Sequence, residues 1–576
     1  MVSTEVLDGV KHRAPGRRLR IDGGGVLVAA ASGLLALLVL LPFGWLGYYA
    51  FTTPGGEVTL ANFTALITDP TLAAPIRTTL ILALSVSLAS MAVAMPLAWL
   101  VARTDIPARR TIRVLMTASF VTPPFLGAIA WEILAAPNSG ILNRLWRDLA
   151  GVETALFNIY SLPGLIFVIG CYTTPFVFVL LANALDRIPA ELEDAAGILG
   201  APPLRILRDV TLPLVLPAIL AGALIAFLQT MVLFGSPAIL ALPAGFHTIT
   251  TKIFMLFQFP PKPHVAAAAA LPLLAVTVLL IWGQRRLMGR RQFTVIGGKG
   301  GATRLVRLGC WRFAALAFAL VVLAFPVFLP YAALLKAAVS RVASDPLSLS
   351  TLTWHNAHFV FVEFSQTVPA IRNTLILAVS TATLGSVLAF AIAWLVSRST
   401  HPGRHALEFL VMAPVAIPGI VLGVGLYLAY AKPPLLLYGT LWILFIAYLT
   451  IELPSAFQQL RSAFRGVHPE LEEASRILGG TRLTTLWRIS EPLVRPALVS
   501  AWCFIFIGVV RELSAAIMLF TARTKVLSVV IYDLNESGDL GAIAVLGITM
   551  LIGTFAIVAF ANRFANATID PARRTV

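Results

Sequence analysis

Charged residues are scarce in this chain. Asp, Glu, Lys and Arg together make up 12% of its 576 residues, whereas about a quarter of the residues in a soluble domain are charged. Hydrophobic residues reach 58%, and the mean hydropathy is +0.87. This composition excludes an ordinary soluble domain and indicates a chain that lies largely within a lipid bilayer.

Cysteine and histidine are too few and too dispersed to build a disulfide or metal framework. Cys171, Cys310 and Cys503 all lie in or beside apolar runs and are interpreted as small buried hydrophobic residues. The eight histidines lie mostly in predicted loops. His355 and His358 have i, i+3 spacing, but they lie in a predicted external loop, so the sequence predicts no metal site.

Motifs for nucleotide or nucleic-acid binding are also missing. The segment Gly297-Gly-Lys-Gly-Gly301 is rich in glycine, but Lys299 is followed by Gly300 where a phosphate-binding loop requires Ser or Thr. We interpret it as flexible linker. No soluble basic domain with stacking aromatic residues is present, which argues against a nucleic-acid partner. The predicted cytoplasmic segments lack clustered catalytic or metal-binding side chains, which argues against an enzyme.

Apolar runs long enough to cross a bilayer recur along the whole chain. Most of the basic residues fall on one side when the N-terminus is placed in the cytoplasm, so we predict that both termini are cytoplasmic. The net charge of +16 is then mainly an orientation signal and an attraction to anionic lipid. The basic stretch at 11–20 precedes an apolar run too long for a cleavable signal peptide. About twelve spans are predicted, at 26–50, 76–102, 112–134, 158–183, 211–240, 265–283, 309–337, 370–396, 406–430, 435–458, 492–520 and 540–562.

The two halves of the chain repeat one another. Residues 76–85 align with 371–380, and Trp99-Leu-Val-Ala-Arg103 aligns with Trp394-Leu-Val-Ser-Arg398. Because each half has an even number of spans, both copies share one topology and should be related by an axis along the membrane normal. We therefore predict an all-α polytopic membrane protein with two parallel repeats of about six helices. The predicted divisions are a cytoplasmic tail (1–25), a first membrane domain (26–284), a linker (285–308), a second membrane domain (309–563) and a second tail (564–576).

One polar segment between apolar runs occurs twice, 279 positions apart. Its acid, glycine and proline have the same spacing in both copies: Asp194, Gly200 and Pro213 in the first, and Glu473, Gly479 and Pro492 in the second. Acids at the start predict a short helix, and the glycine is typical of its C-terminus. Small residues (Ala195, Ala196, Ala474 and Ser475) keep one face of that helix narrow, so another surface can approach closely.

Such a helix would lie across the cytoplasmic face and would be joined to the next span. Force applied to it would then move the membrane helix. The alternative is a solvated loop whose acids balance nearby arginines such as Arg205 and Arg482. The matched spacing of the two copies favours the first interpretation.

At these residues the chain resembles the binding-protein-dependent ABC importer permeases, which have the MetI-like (type I importer) fold and carry an EAA loop. The copies depart modestly from the family pattern, with Asp194 for Glu, Ser475 for Ala and Glu491 for Leu. In this family the loop forms a coupling helix that docks on the ATPase. The resemblance therefore implies that ATPase coupling is carried by Glu191, Asp194, Ala195, Ala196, Gly200 and Pro213 in the first copy, and by Glu470, Glu473, Ala474, Ser475, Gly479 and Pro492 in the second.

The resemblance also implies the partners and the location. Two copies of an ATPase subunit would bind ATP and Mg, so this chain would hold no cofactor of its own. A periplasmic solute-binding protein would deliver the cargo to the bacterial inner membrane. The fusion of two permease domains, with Leu60-Ala-Asn-Phe63 and Arg511-Glu-Leu-Ser-Ala-Ala516, looks most like ferric-iron permeases. Permeases for thiamine, 2-aminoethylphosphonate or polyamines share much of the pattern. An ion-gradient-driven secondary transporter is the alternative class.

Polar and charged residues within the predicted spans are the candidates for a substrate pathway. Burying a charge in a membrane is costly, so such a residue suggests function. We predict a pathway along Gln229, Glu452, Arg511 and Glu512. The alternative for Arg511 and Glu512 is a structural ion pair or a contact with a neighbouring helix.

Overall fold

A computed structural model of the chain describes residues 23–288, 305–343, 350–399, 401, 403–433 and 435–569. Most of the predicted tails and of the linker, including its glycine-rich piece, lies outside the described residues. The described part is helical, with three isolated β-bridges and no strand. An all-α fold is thus confirmed.

The described residues of the first half form thirteen α-helices. They are α1 (Gly23–Ala50), α2 (Ala61–Thr68), α3 (Pro70–Arg103), α4 (Arg109–Ala118), α5 (Pro124–Ala135), α6 (Ile141–Ala150), α7 (Leu162–Asp186), α8 (Ala190–Ile198), α9 (Pro203–Ile206), α10 (Leu212–Val232), α11 (Gly235–Leu240), α12 (Ile249–Met255) and α13 (Pro263–Met288).

The described residues of the second half form thirteen more α-helices. They are α14 (Trp311–Leu323), α15 (Leu329–Val339), α16 (His355–His358), α17 (Thr367–Arg398), α18 (Arg404–Met412), α19 (Gly419–Tyr430), α20 (Leu441–Gly466), α21 (Pro469–Ile477), α22 (Arg482–Thr485), α23 (Glu491–Arg511), α24 (Ala516–Leu519), α25 (Leu527–Glu536) and α26 (Leu540–Ile569). Across the described residues of both halves, π-helical turns lie at Leu207–Thr211, Ala324–Phe328, Phe359–Glu363 and Leu486–Ser490.

Ten helices of the described chain are long and apolar enough to cross a membrane, but two predicted spans are broken. The spans predicted at 112–134 and 406–430 each coincide with a pair of helices joined by a sharp bend, and not with one straight helix. The chain bends by 102° between Arg109–Val121 and Pro124–Ala135, and by 109° between Arg404–Ala416 and Gly419–Tyr430. Pro123 and Pro418 lie at these bends in extended backbone. Proline lacks an N–H and disfavours a helical residue before it, so each helix stops there.

The predicted spans 211–240 and 492–520 are also interrupted. Helix α10 ends at Val232 and α23 at Arg511, and each is followed by an extended residue, Leu233 or Glu512. Short helices α11 and α24 come after the breaks. The two breaks are 279 positions apart, as the two polar segments are. Arg511 and Glu512 therefore lie at the end of a helix and not inside a continuous span.

The repeat extends to individual side chains. The hydroxyl of Thr79 on α3 accepts a hydrogen bond from the N–H of Ile249 at 2.8 Å. The hydroxyl of Thr374 on α17 accepts one from the N–H of Leu527, also at 2.8 Å. Each bond ties the long helix to the first residues of a short helix after the broken span. The two halves thus share one internal construction.

The core of each half is a three-helix group, and the groups are interlocked. Helices α3, α7 and α10 pack together in the first half, and α17, α20 and α23 in the second. The first span of each half crosses to the other half: α1 packs on α18 and α19, and α15, which continues the span begun by α14, packs on α5. At one crossing a Cβ on Gly425 would lie 2.9 Å from the Pro42 carbonyl oxygen, so only glycine fits.

Candidate functional site

Each polar segment forms a nine-residue helix at the place where the sequence predicts one. Helices α8 and α21 each carry two acids in the first turn. Gly200 and Gly479 follow them with φ of +83° and +87°, a conformation in which a side chain is strained. The N–H of Ala201 then donates to the Ala196 carbonyl at 3.0 Å, and the N–H of Gly480 to the Ser475 carbonyl at 2.9 Å. These bonds close the helix ends, as the glycine spacing predicts.

An arginine at the end of α3 holds the first of these helices. The side chain of Arg103 is 1% exposed. One terminal nitrogen lies 3.4 Å from the Glu193 carboxylate and donates to the Ile188 carbonyl at 3.2 Å. The same carboxylate accepts a hydrogen bond from the Thr211 hydroxyl at 2.8 Å. Glu193 therefore joins α3, α8 and the turn that leads into α10.

The second half repeats this arrangement. Nε of Arg398, the last residue of α17, donates to the Glu472 carboxylate at 2.9 Å. Its terminal nitrogen donates to the carbonyls of Phe464 and Val467 at 3.2 and 3.0 Å. The Ser490 hydroxyl donates to Glu472 at 2.8 Å. We call these two sets of contacts, around Arg103–Glu193–Thr211 and Arg398–Glu472–Ser490, the arginine clamps.

Sequence reasoning missed Glu193 and Glu472 because it selected the acids beside the alanines. A signal was available: Arg103 and Arg398 align as the last residues of a repeated motif. A matched arginine at the end of two apolar helices needs a matched acid, since a buried guanidinium without one is costly.

A π-helical turn connects each clamp to the following span. The N–H of Leu212 donates to the Leu207 carbonyl, and the N–H of Glu491 to the Leu486 carbonyl, each five residues back. Pro213 and Pro492 follow directly and have no N–H to donate. Since α9 and α22 run through these turns into α10 and α23, only residues 199–202 separate α8 from its span, and only residues 478–481 separate α21 from its span.

The predicted coupling residues divide into exposed and inward-facing positions. Glu191, Ala195, Glu470, Glu473 and Ala474 are exposed. Asp194, Ala196 and Ser475 are half-buried, and the Ser475 hydroxyl lies 2.9 Å from that of Thr485 in the same chain.

The ends of both helices present apolar side chains to the outside. Ile198, Leu199, Ile477 and Leu478 are 85–88% exposed. Exposed aliphatic side chains grouped in this way mark a surface for contact with another protein or with a membrane. Sequence reasoning did not select these residues, although they belong to the repeated segment.

The two helices differ in their surroundings. A cavity of about 500 Å³ lies beside α21, and its lining includes Arg398, Glu472, Glu473, Arg476 and Arg482. In the first half, Gly197 and Pro203 stand where the second has Arg476 and Arg482. The lining of the cavity beside α21 therefore contains two arginines that the first half lacks at the matching positions.

All four residues predicted for a substrate pathway line one cavity between the halves. Gln229, Glu452, Arg511 and Glu512 border a space of about 270 Å³ together with four phenylalanines, two of which are Phe120 and Phe125. The broken ends of α10 and α23 and the bend before α5 meet here. The breaks thus bring polar side chains, and the backbone of residues that lie outside the helices, to one cavity.

Arg511 reaches from the second half to the first. It donates to the Phe120 carbonyl at 2.7 Å, and its guanidinium lies 4.7 Å from the centre of the Phe120 ring. The Glu512 carboxylate accepts from the Ala515 N–H at 2.9 Å. No ion pair joins Arg511 to Glu452 or Glu512 among the residues that the structure covers. Of the alternatives left open by the sequence, the contact with a neighbouring helix is the one observed.

Other acids and histidines lie apart from this cavity. Glu132 accepts a hydrogen bond from the Tyr160 hydroxyl at 2.6 Å. His358 lies 2.9 Å from Glu363. Within the described ranges, no three His, Cys, Asp or Glu side chains are grouped to hold a metal ion.

Each half contains a short helix that ends in exposed aliphatic residues and is clamped to membrane spans. Those spans break at a cavity that the two halves share. This arrangement defines a membrane transport protein of two like halves. Comparison with protein families makes this class specific. Residues 94–293 and 383–569 each match the family described as binding-protein-dependent transport system inner membrane component. The chain belongs to this family, whose members are multi-pass permease components of bacterial ABC transporters and not enzymes. The predicted family and the two repeats are confirmed.

Individual relatives carry different substrate names. The chain is 26% identical to the ferric transport system permease protein FbpB of Actinobacillus pleuropneumoniae over 78% of this chain and 65% of that one. It is 22% identical to Fe(3+)-transport system permease protein FbpB 2 of Haemophilus influenzae over 88% and 93%. It is 26% identical to the sulfate transport system permease protein CysT of Salmonella typhimurium over 48% and 97%. About half of this chain thus corresponds to a whole sulfate permease.

Proposed function

We propose that this chain is the membrane-spanning subunit of an ATP-binding-cassette importer that moves a solute delivered by a periplasmic binding protein. The repeated helix with its arginine clamp is the observation that carries the proposal. Each copy offers exposed aliphatic residues to one ATPase subunit, which gives two ATPase subunits per chain. Both copies would lie in the cytoplasm, as would both termini. Family membership argues against the ion-gradient-driven alternative.

The contacts describe how force would pass from the ATPases to the cavity. Movement of α8 pulls on Glu193, which is bonded both to the end of α3 and to the turn before α10. The same path runs through Glu472 to α17 and α23. Since α10 and α23 end at the cavity, their movement would open it to one side of the membrane and then to the other.

Iron(III) is the cargo that we favour. Relatives named for ferric transport match across most of this chain, and two carboxylates line the cavity. Carboxylate oxygen is a suitable ligand for a hard cation. Thiamine, 2-aminoethylphosphonate and polyamines remain alternative cargoes. Because one relative is named for sulfate transport, sulfate is tested as a cargo as well.

Reconstitution tests the coupling. The chain would be placed in vesicles with a candidate ATPase and binding protein from neighbouring genes. Gly200→Val together with Gly479→Val should abolish uptake while ATP hydrolysis continues, because valine is strained at positive φ and displaces the helix end. Gly466→Val is the matched control, since a Cβ there meets no atom within 4 Å and φ is not positive. Normal coupled uptake by the double variant would overturn the proposal.

The same vesicles test the cargo. ATP-dependent accumulation of radioactive iron(III), undiminished by excess thiamine, 2-aminoethylphosphonate, putrescine or sulfate, is expected. Accumulation of one of those compounds in place of iron would replace the cargo and leave the importer proposal intact.

A further inference from the structure

A third cavity with charged residues in its lining lies at the end of the first half's three-helix group. It has a volume of about 210 Å³ and is lined by Val101, Ala102, Arg109, Arg110, Arg113 and Asp186. It lies where α3, α4 and α7 meet, and α8 begins four residues after Asp186. It shares no lining residue with the cavity between the halves, and none of its lining residues belongs to the arginine clamps.

Its positive charge is only partly balanced. Asp186 accepts hydrogen bonds from both terminal nitrogens of Arg113, at 2.6 and 3.3 Å. Arg109 and Arg110 form no ion pair or side-chain hydrogen bond with the part of the chain that the structure describes. Arg109 and Arg110 therefore line the cavity without an ion-pair partner among the described residues.

The start of α4 adds to this imbalance. Its first turn holds no acid, and Ala108 before it offers no capping side chain. Positive charges near a helix N-terminus oppose the helix dipole, and Arg109 and Arg113 at i, i+4 repel one another. An anion in the cavity would relieve both effects.

The surroundings indicate a lipid as the source of that anion. Ile112 and Met116 of α4 are buried, whereas Val114 is exposed. Helix α14 packs on α4 and begins with the exposed residues Trp311 and Phe313. Exposed apolar and aromatic side chains beside arginines are typical of the boundary between the bilayer and water.

We propose that this cavity binds the phosphate of an anionic phospholipid of the cytoplasmic leaflet. The inference rests on the cytoplasmic placement of α8 in the proposed function. The second half has no equivalent: Arg404, His405 and Glu408 occupy the corresponding positions, and Glu408 is paired with Arg461. The lipid would therefore bind beside α8 only, next to the Arg113–Asp186 ion pair that precedes this helix.

Native mass spectrometry of the purified full chain tests this site. Phosphatidylglycerol, phosphatidylcholine and inorganic phosphate would be titrated separately. Phosphatidylglycerol should bind at least about tenfold more tightly than phosphatidylcholine. The double variant Arg109→Gln/Arg110→Gln should bind it about 25-fold more weakly, since each arginine near a membrane surface contributes about fivefold. Arg109→Lys/Arg110→Lys should stay within a few-fold of the original chain.

Arg404→Gln/Arg465→Gln is the matched control from the second half and should bind phosphatidylglycerol normally. Unchanged binding by the Arg109/Arg110 glutamine variant would overturn the site. Binding of inorganic phosphate as tightly as phosphatidylglycerol would overturn the lipid assignment. Because no ATPase or binding protein is present, either failure leaves the proposed function standing.

Discussion

Glu193 is the single residue on which the position of α8 depends most directly. It is the only acid among the described residues within 4 Å of Arg103, whose side chain is almost wholly buried. Glu472 serves Arg398 in the same way, but Arg398 is 19% exposed and also donates to two backbone carbonyls. The two clamps have the same set of partners, but Arg103 relies on its glutamate more strongly than Arg398 does.

Replacing Glu193 by Ala should therefore be more damaging than replacing Glu472. Removing one partner of a buried ion pair costs about 3–5 kcal/mol, and water can reach Arg398 but not Arg103. We expect Glu193→Ala to lower the thermal unfolding temperature of the purified chain more than Glu472→Ala. Glu191→Ala, on the exposed face of the same helix, is the control and should leave that temperature unchanged. Equal shifts for Glu193→Ala and Glu191→Ala would contradict the role of the clamp.

Among the elements, the π-helical turns set how α8 and α21 are oriented on the spans that follow them. A π-helical turn contains one residue more than the matching α-helical turn. Its position before Pro213 and Pro492 is the same in both halves.

Deleting Arg208 should convert the first π-helical turn into a regular one. Because an α-helix advances about 100° per residue, α8 would rotate by that amount relative to α10. We expect the deletion to abolish ATP-dependent uptake in vesicles. Arg208→Ala keeps the residue count and should retain uptake, since this side chain is 85% exposed. Retained uptake by the deletion variant would show that the orientation is not critical.

On the scale of the whole molecule, the halves are interlocked and not merely adjacent. Helix α1 packs on the second half, and α15 on the first. A half expressed alone would expose those faces, and the Arg511–Phe120 contact would be lost.

Dividing the chain between residues 295 and 296 should therefore give two polypeptides that are stable only together. We expect residues 1–295 and 296–576 to co-purify after co-expression, and each to be degraded or aggregated alone. Gel filtration and yield in the membrane fraction are the measurements. Two halves that are separately stable would show that the crossed helices contribute little.

Much of the fold was predictable from local pattern. Long apolar runs specify membrane helices because the bilayer leaves backbone groups no other partner. Gly200, Gly479 and the acids before them specify short helices, because the attraction of acids to the helix dipole and the backbone freedom of glycine both act within one or two turns. The bends at Pro123 and Pro418 could have been predicted from local backbone preference as well. They were missed because hydropathy is averaged over a long window, which does not show a break of one or two residues.

The sequence by itself determined that this protein is a membrane chain of two like halves, each with a short polar helix at a fixed spacing. Those features depend on composition, local backbone preference and repetition. Only the tertiary structure decided that Arg103 and Arg398 meet Glu193 and Glu472, that the four predicted pathway residues share one cavity, and that Arg511 contacts Phe120 across the halves. These are contacts between residues distant in sequence, and they follow from how helices pack, which no local pattern specifies.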